Sequence, residues 1–575
     1  MKGGTKLKAK TLSLEARKKL AAALTLVFAG IFTILCASWP EIDGFAKDSQ
    51  STSLRRLVSA PVHLSDDVMI SLRSGYILKE TRRPAFNRED VAQPSTSYMS
   101  PYLFAVLLNV FPEKFSVVIY AFLGLLAVAL TLSSIVLFSK STINAGFLAL
   151  ALLLTTTNLA YALNGWDHLF QGLFLTLATC IALTRSARSI GMLAVSILLA
   201  LGTSSRPDGL LISIGVLVSL YIFSKRMSKF IVFGVMPYVI LIGTALEVNF
   251  RQFGHLTPTT ARLKVGAAPS IGYIGRYVVE NGVLSYSALT LFIALVVFYV
   301  VFRHALSGLK YSSIVVCCAI TAAIAVYNSD FFGGARMLWS PACVLAALIA
   351  VSAPGFIAFG NNPPEQLVSI SPAYKNGLWN SASQHYFSGT RVISVILVTL
   401  LVVGTMFSLI TQRAKNAVIS RNLVYTSPTA QQYVIAKWID ENLRPSDGSI
   451  GFFFLGVSYD LPRFEIADVL GKADESIATS NVKWGPPGHN KWDIDKTLAK
   501  WKPQAIVPAG PSDPTLPETR ENSRRHAPDL LLNDRISKEF TYCYVPDSVA
   551  GVSDKWGFFL RKDIAALHLD QLRCS

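Results

Sequence analysis

Charge is scarce in this chain: only 15% of its 575 residues are Asp, Glu, Lys or Arg, where a soluble globular protein carries nearer ~25%. With 51% hydrophobic residues, that shortage excludes an ordinary soluble fold and points to a polytopic membrane protein. Acids are rarer than bases, 36 against 53, for a net charge of +17. The bases stand in short clusters between apolar runs and no nucleic-acid motif accompanies them, so they report topology and contact with anionic lipid instead. Cysteine is sparse too. Five of the seven, Cys36, Cys180, Cys317, Cys318 and Cys343, fall inside apolar runs as packing residues. No Cys/His spacing builds a zinc site, and no internal repeat is visible. Only Cys543 and Cys574 lie in polar sequence, where an extracytoplasmic location would permit a disulfide.

What the chain has in abundance is apolar runs of spanning length. A bilayer core needs about 20 apolar residues per helix. That rule gives about eleven spans, near 20–39, 115–138, 143–163, 167–184, 189–204, 208–223, 230–247, 285–303, 312–328, 337–359 and 390–410. The first follows a basic N-terminus, residues 1–19, with no small-x-small cleavage site behind it, so it reads as an uncleaved span. The runs 189–204 and 208–223 are short and joined by Ser205-Arg206-Pro207, which reads as a hairpin. With the N-terminus inside, alternation places Lys140, Arg185, Arg188, Lys225, Arg226, Lys229, Arg303 and Lys310 on the cytoplasmic side. Segments 40–114, 164–166, 205–207, 248–284, 329–336 and 411–575 then face outward. The architecture expected is a membrane region over 20–410, with a large outer loop at 40–114, and an extracytoplasmic α/β domain over 411–575. In that tail, Ser427-Pro428 opens a helix to Leu443, Ile450–Leu455, Phe464–Leu470 and Ala505–Val507 read as strands, and Asp493–Lys500 reads as a helix.

The unusual polar residues gather in the outward segments. Asp66 and Asp67 precede Val68, Met69, Leu72, Tyr76 and Ile77, whose helical spacing predicts an interfacial amphipathic helix with both acids at its N-terminus. Simple helix capping explains the acids about as well as chemistry does. In the chemical reading they supply a general base that takes a proton from a sugar hydroxyl while a phosphate departs. Asn164-Gly165-Trp166-Asp167-His168 opens a span, and Arg206-Pro207-Asp208-Gly209 forms the hairpin tip, where Arg206 either pairs with Asp208 or meets an anionic headgroup. Phe253-Gly254-His255 leads to Pro258-Thr259-Thr260-Ala261-Arg262-Leu263-Lys264, a shaped loop with two cations. Asp330-Phe331-Phe332-Gly333-Gly334-Ala335-Arg336 joins two spans. Cations at headgroup depth suit a lipid-phosphate ligand.

In this order, the motifs resemble those of the GT-C superfamily of membrane glycosyltransferases, and most of all the terminal arabinofuranosyltransferases of the mycobacterial cell wall. The tail adds Ile466-Ala467-Asp468-Val469-Leu470-Gly471-Lys472-Ala473-Asp474-Glu475-Ser476-Ile477-Ala478, then Pro487-Gly488-His489-Asn490-Lys491 and Lys502-Pro503-Gln504-Ala505-Ile506-Val507. The chain departs from the family in carrying Pro258-Thr259-Thr260 in place of Pro-Asn-Thr, and Asp167 in place of Glu. The resemblance implies an inverting transfer of a sugar, arabinofuranose in the most similar members, from a polyprenyl-phosphate donor to a cell-envelope glycan or glycolipid at the outer face of a bacterial inner membrane.

The catalytic base would be Asp66 or Asp67, its neighbour orienting it or binding an ion. Lys264, then Arg262, Arg206 and Arg336, are the candidates for the donor phosphate. His255, Asp167, His168 and Asp330 would line the cavity, and Trp484, His489 and Trp492 of the outer domain would meet the acceptor glycan by stacking. No cofactor is required, although a divalent cation is compatible with paired acids. The rival readings are a transporter or flippase of lipid-linked sugars, against which the missing repeat counts, and a non-catalytic glycan-assembly protein.

Overall fold

The computed structural model describes residues 66–89, 92–139, 148–149, 152, 167–185, 188–224, 226–264, 292–293, 295–297, 299–300, 311–327, 336–352, 428–483, 488–510, 512–515, 530–545 and 557–575. Apolar helices fill the first part. Helix α1 (Asp66–Thr81) and the short α2 (Ser100–Val110) precede α3 (Glu113–Phe138), α4 (Asp167–Arg185), α5 (Ser189–Ser205), α6 (Gly209–Phe223) and α7, which runs over Met227–Phe253 with a π-helical stretch at Phe230–Val235. A short α8 (Thr259–Lys264) follows, then α9 (Ser312–Tyr327) and α10 (Trp339–Ser352). Among the described residues, three helices are long and apolar enough to cross a membrane: Phe115–Phe138 within α3, α4 and α7. Five shorter apolar helices accompany them, α2, α5, α6, α9 and α10. The spans expected near 20–39, 143–163, 285–303 and 390–410 lie wholly or largely outside the described residues.

The packing separates two kinds of helix. Every residue of α10 is buried, so this helix sits inside the bundle. Helix α7 is mostly exposed and presents Val232, Val239, Ile240, Leu241 and Phe250 outward. An apolar face of that kind is at home in hydrocarbon, where burying it against protein is unnecessary.

Helix α1 differs from the amphipathic surface helix expected of it. Val68, Met69, Leu72 and Ile77 are buried, and so are Ser71, Arg73 and Ser74, which puts both faces against protein. Gly75 explains the approach of α2, since a Cβ there would lie 2.7 Å from the Pro101 carbonyl.

The C-terminal part carries a six-stranded sheet in the order β2-β1-β3-β5-β4-β6. Strand β1 (Ser449–Phe452) pairs in parallel with β2 (Ile466–Asp468) and β3 (Pro503–Val507). Strands β4 (Phe540–Tyr544), β5 (Phe558–Arg561) and β6 (Arg573–Cys574) add an antiparallel half. All residues of β1, β2 and β3 are buried, as parallel strands covered on both faces require. Helices α11 (Pro428–Asn442), α12 (Glu475–Ala478) and α13 (Ile494–Trp501) belong to the same module. The run Ile450–Leu455 stops pairing at Phe452 because Gly456–Asp460 turns into a 3-10 helix. Cys543 and Cys574 stand opposite each other on β4 and β6 and are joined by a disulfide.

Candidate functional site

Three chain crossings bring one end of the helical bundle together. Helix α4 leaves that end at Asp167, and α5 returns to it at Ser205, where the Gln171 amide donates to the Arg206 carbonyl at 3.2 Å. The Tyr98 and Met99 amides donate to the Ser204 carbonyl. The Thr259 amide donates to the Gln93 carbonyl over 2.9 Å, and Tyr98 Oη donates to the Leu256 carbonyl over 2.8 Å, which draws in α8. The sheet module reaches the same place through α1. Arg73, fully buried, donates to the carbonyls of Phe86, Leu461 and Phe464 at 2.9, 3.1 and 2.8 Å, and also to that of Ser458.

Asp66 and Asp67 therefore begin a helix that is clamped from behind. The backbone amides of the first turn lack helical partners, and the helix dipole favours carboxylates there. The half-buried Asp67 carboxylate lies 3.7 Å from Lys472 Nζ. Lys472 comes from the turn between β2 and α12, and its side chain is only 7% exposed. His489 is under the charges of Lys472, Lys264 and Asp67 together, and a Cβ on its neighbour Gly488 would stand 3.6 Å from Lys264 Cε. Burial, aided by the two lysines and opposed by Asp67, pushes the His489 imidazole down to about 3, so it is neutral at physiological pH. Its ring meets Phe454 edge-on at 5.9 Å.

Around this group stand further polar pairs. The buried Asp167 carboxylate accepts hydrogen bonds from Ser100 Oγ and, at 3.3 Å, from Tyr120 Oη, and the charges of Arg206 and Asp67 both reach it. Arg206 Nε faces Asp208 at 3.4 Å, and Asp208 also accepts from Gln171 Nε2 at 2.7 Å. Gln171 in turn accepts from Ser340 Oγ, which links α4 to α10. On α8, the Arg262 guanidinium closes on the Glu475 carboxylate, and His255 Nε2 stands 3.9 Å from the same group. His168 is buried next to Asp167.

Of the residues singled out in the sequence, the structure thus gathers Asp67, Asp167, Lys264 and His489, with Arg206 beside Asp167. It places Arg262 and His255 on Glu475. Asp330 and Trp484 lie outside the described residues, as do the side chains of Asp66 and Arg336. Trp492 is corrected: it is 1% exposed in the module's core under Lys483 Nζ, with no face left for a sugar. Arg73, Lys472, Asp474 and Glu475 were missed as contributors. Lys472, Asp474 and Glu475 stand in a quoted tail motif, but nothing in the spacing of Lys472 and Glu475 announces partners hundreds of residues away. Among the described residues, no group of three or more His, Cys, Asp or Glu could hold a metal ion.

No family model matches the chain, and no curated protein does. Solved structures do. The chain is similar to ArnT from Cupriavidus metallidurans bound to undecaprenyl phosphate, at 13% identity and a TM-score of 0.50, over 94% of this chain and 98% of that one. That likeness shows the fold, a polytopic membrane architecture. The apo form of the same protein gives 14% identity, coverage of 95% and 99%, and a TM-score of 0.45. The archaeal oligosaccharyltransferase AglB from Archaeoglobus fulgidus, in complex with an inhibitory peptide and a dolichol-phosphate, gives 10%, coverage of 95% and 74%, and 0.49.

Proposed function

We propose that this protein is an inverting GT-C-type glycosyltransferase that moves a sugar from a polyprenyl-phosphate donor to a cell-envelope glycan or glycolipid. The observation that carries the reading is the pairing of Asp67 with Lys472 at one end of the bundle, where both, with Lys264, act electrostatically on His489. An acid that can remain ionised beside cations suits a base and an anionic leaving group in one site. In the step itself, Asp67 or Asp66 takes the proton of an acceptor hydroxyl as its oxygen bonds to the anomeric carbon. The bond from that carbon to the phosphate oxygen breaks on the opposite face, and polyprenyl phosphate leaves with the electron pair.

Lys264 ranks first among the phosphate cations. Arg262 and Arg206, which face Glu475 and Asp208, follow it as candidates. Arg336 remains a candidate from the sequence. Support for a lipid-phosphate donor comes from the shared fold with a protein that holds undecaprenyl phosphate. The sugar, arabinofuranose, follows from the family resemblance alone. The disulfide between Cys543 and Cys574 favours placing residues 411–575 outside the cytoplasm of a bacterial inner membrane, since cytosolic thiols stay reduced.

The experiment is transfer from a radiolabelled polyprenyl-phosphate arabinofuranose in membranes carrying wild type, Asp66→Asn or Asp67→Asn. Loss in one variant, at normal expression and melting temperature, identifies the base. Full transfer in both variants would sink the assignment.

A further inference from the structure

The loop between β2 and α12 is built with more care than a connection requires. Asp468 at the end of β2 is fully buried and accepts the Leu470 amide through one oxygen, at 3.0 Å, and the Ala473 amide through the other. Gly471 sits between them at φ +76°, and a Cβ there would stand 2.8 Å from Ile477 Cγ2. A side chain at that position would be both strained and obstructed. Asp474 then closes the loop by accepting from Ser476, from Lys500 Nζ at 2.7 Å and from Trp501 Nε1 at 2.7 Å. The one long side chain this frame presents is Lys472, and it meets Asp67, which belongs to the other part of the molecule.

We infer that Lys472 is a positioning residue for Asp67: the sheet module supplies the cation that keeps the acid ionised and aimed, so the site is complete only when the 468–474 loop is docked. The inference rests on the proposed role of Asp67 as base. Lys264 of α8 reaches the same cluster through His489, and three other groups act around the pair. Asp66 precedes Asp67 on α1, Asp167 faces it electrostatically from α4, and His489 faces it from the module. Asp167 opposes ionisation of Asp67 and His489 is neutral, so Lys472, its Nζ 3.7 Å from the Asp67 carboxylate, is in place to offset that charge.

The test compares Lys472→Met, Lys472→Arg and Asp67→Asn, with transfer from radiolabelled polyprenyl-phosphate arabinofuranose measured across pH. A carboxylate base loses activity as pH falls through its pKa, and removing a neighbouring cation raises that pKa. In Lys472→Met the acidic limb of kcat/KM therefore moves to higher pH by about one unit, and Lys472→Arg returns it to the wild-type position. An unmoved limb overturns the inference. So does an activity loss equal at all pH values that Arg fails to rescue, because that is the mark of a merely structural lysine. If Asp67→Asn transfers normally, the base reading falls instead. Melting temperatures of the two single variants and the Asp67→Asn/Lys472→Met double variant then decide the pair alone, and strictly additive losses would remove it.

Discussion

Arg73 Nη2 donates to the Phe464 carbonyl over 2.8 Å, joining the acid-bearing helix to the sheet module across 391 residues of sequence. The same guanidinium serves the carbonyls of Phe86, Ser458 and Leu461 and lies 5.1 Å from the Phe86 ring centroid. Burial pulls Arg73 down to about 9, which still leaves it charged at neutral pH. A planar five-donor fork can satisfy four carbonyls at once, which an ammonium cannot.

Replacing Arg73 by Met takes the side-chain donor from the Phe86 and Phe464 carbonyls, while those of Ser458 and Leu461 keep the Leu461 and Phe464 amides. The expected loss is about 3 kcal/mol, read as a lower melting temperature in detergent. Arg73→Lys should recover only part of it, because the fork geometry is gone.

Arg262 and Glu475 are about a quarter exposed, so their pairing is partly shielded from solvent. Arg262→Glu or Glu475→Arg alone should each lower the melting temperature, and the double reversal should recover most of the loss. A coupling of about 1 kcal/mol is expected from the double-mutant cycle. Additive effects would mean that the contact does not form in the membrane.

Asp468 gives a pH signature. Burial pushes its carboxyl up to about 7, against the pull of two backbone amides. An acid raised in the fold binds its proton more tightly there than in the unfolded chain. Its contribution to stability is therefore greatest in acid and declines as pH rises from the unfolded value near ~4 to about 7 in the fold. In Asp468→Asn this dependence is absent, so the stability advantage of wild type over the variant should shrink between pH 5 and pH 8. Melting curves of both proteins over that range check it.

The disulfide between Cys543 and Cys574 closes a loop with a sequence separation of 31. Converting both to Ser should cost about 2–4 kcal/mol. In intact cells, a membrane-impermeant thiol reagent should label the pair only after reduction. Labelling that needs permeabilised cells would place the module on the cytoplasmic side.

Apolar run length was enough to mark most of the described helices, since length and composition are local properties. In the tail, the Ser427-Pro428 cap marked α11, and local pattern marked α13 and the neighbourhood of β1, β2 and β3. The reading of α1 failed on its polar residues. Val68, Met69, Leu72 and Ile77 have the same spacing whether a helix faces lipid or protein, and it is the burial of Ser71, Arg73 and Ser74 that distinguishes the two. Helix α2, at Ser100–Val110, escaped notice because eleven residues are too few to register as a span.

The sequence by itself determined that this is a membrane protein with polar motifs between its apolar runs, because charge content and hydrophobic run length are sums over neighbours in the chain. It also presented Asp67, Lys264, Arg262 and His489 as residues of interest. Tertiary structure alone decided their partners: Lys472 for Asp67, Glu475 for Arg262, and the module's core for Trp492. Coulombic contacts and burial depend on distance in space, and no local pattern records which two loops, four hundred residues apart, fold to within a few ångströms of each other.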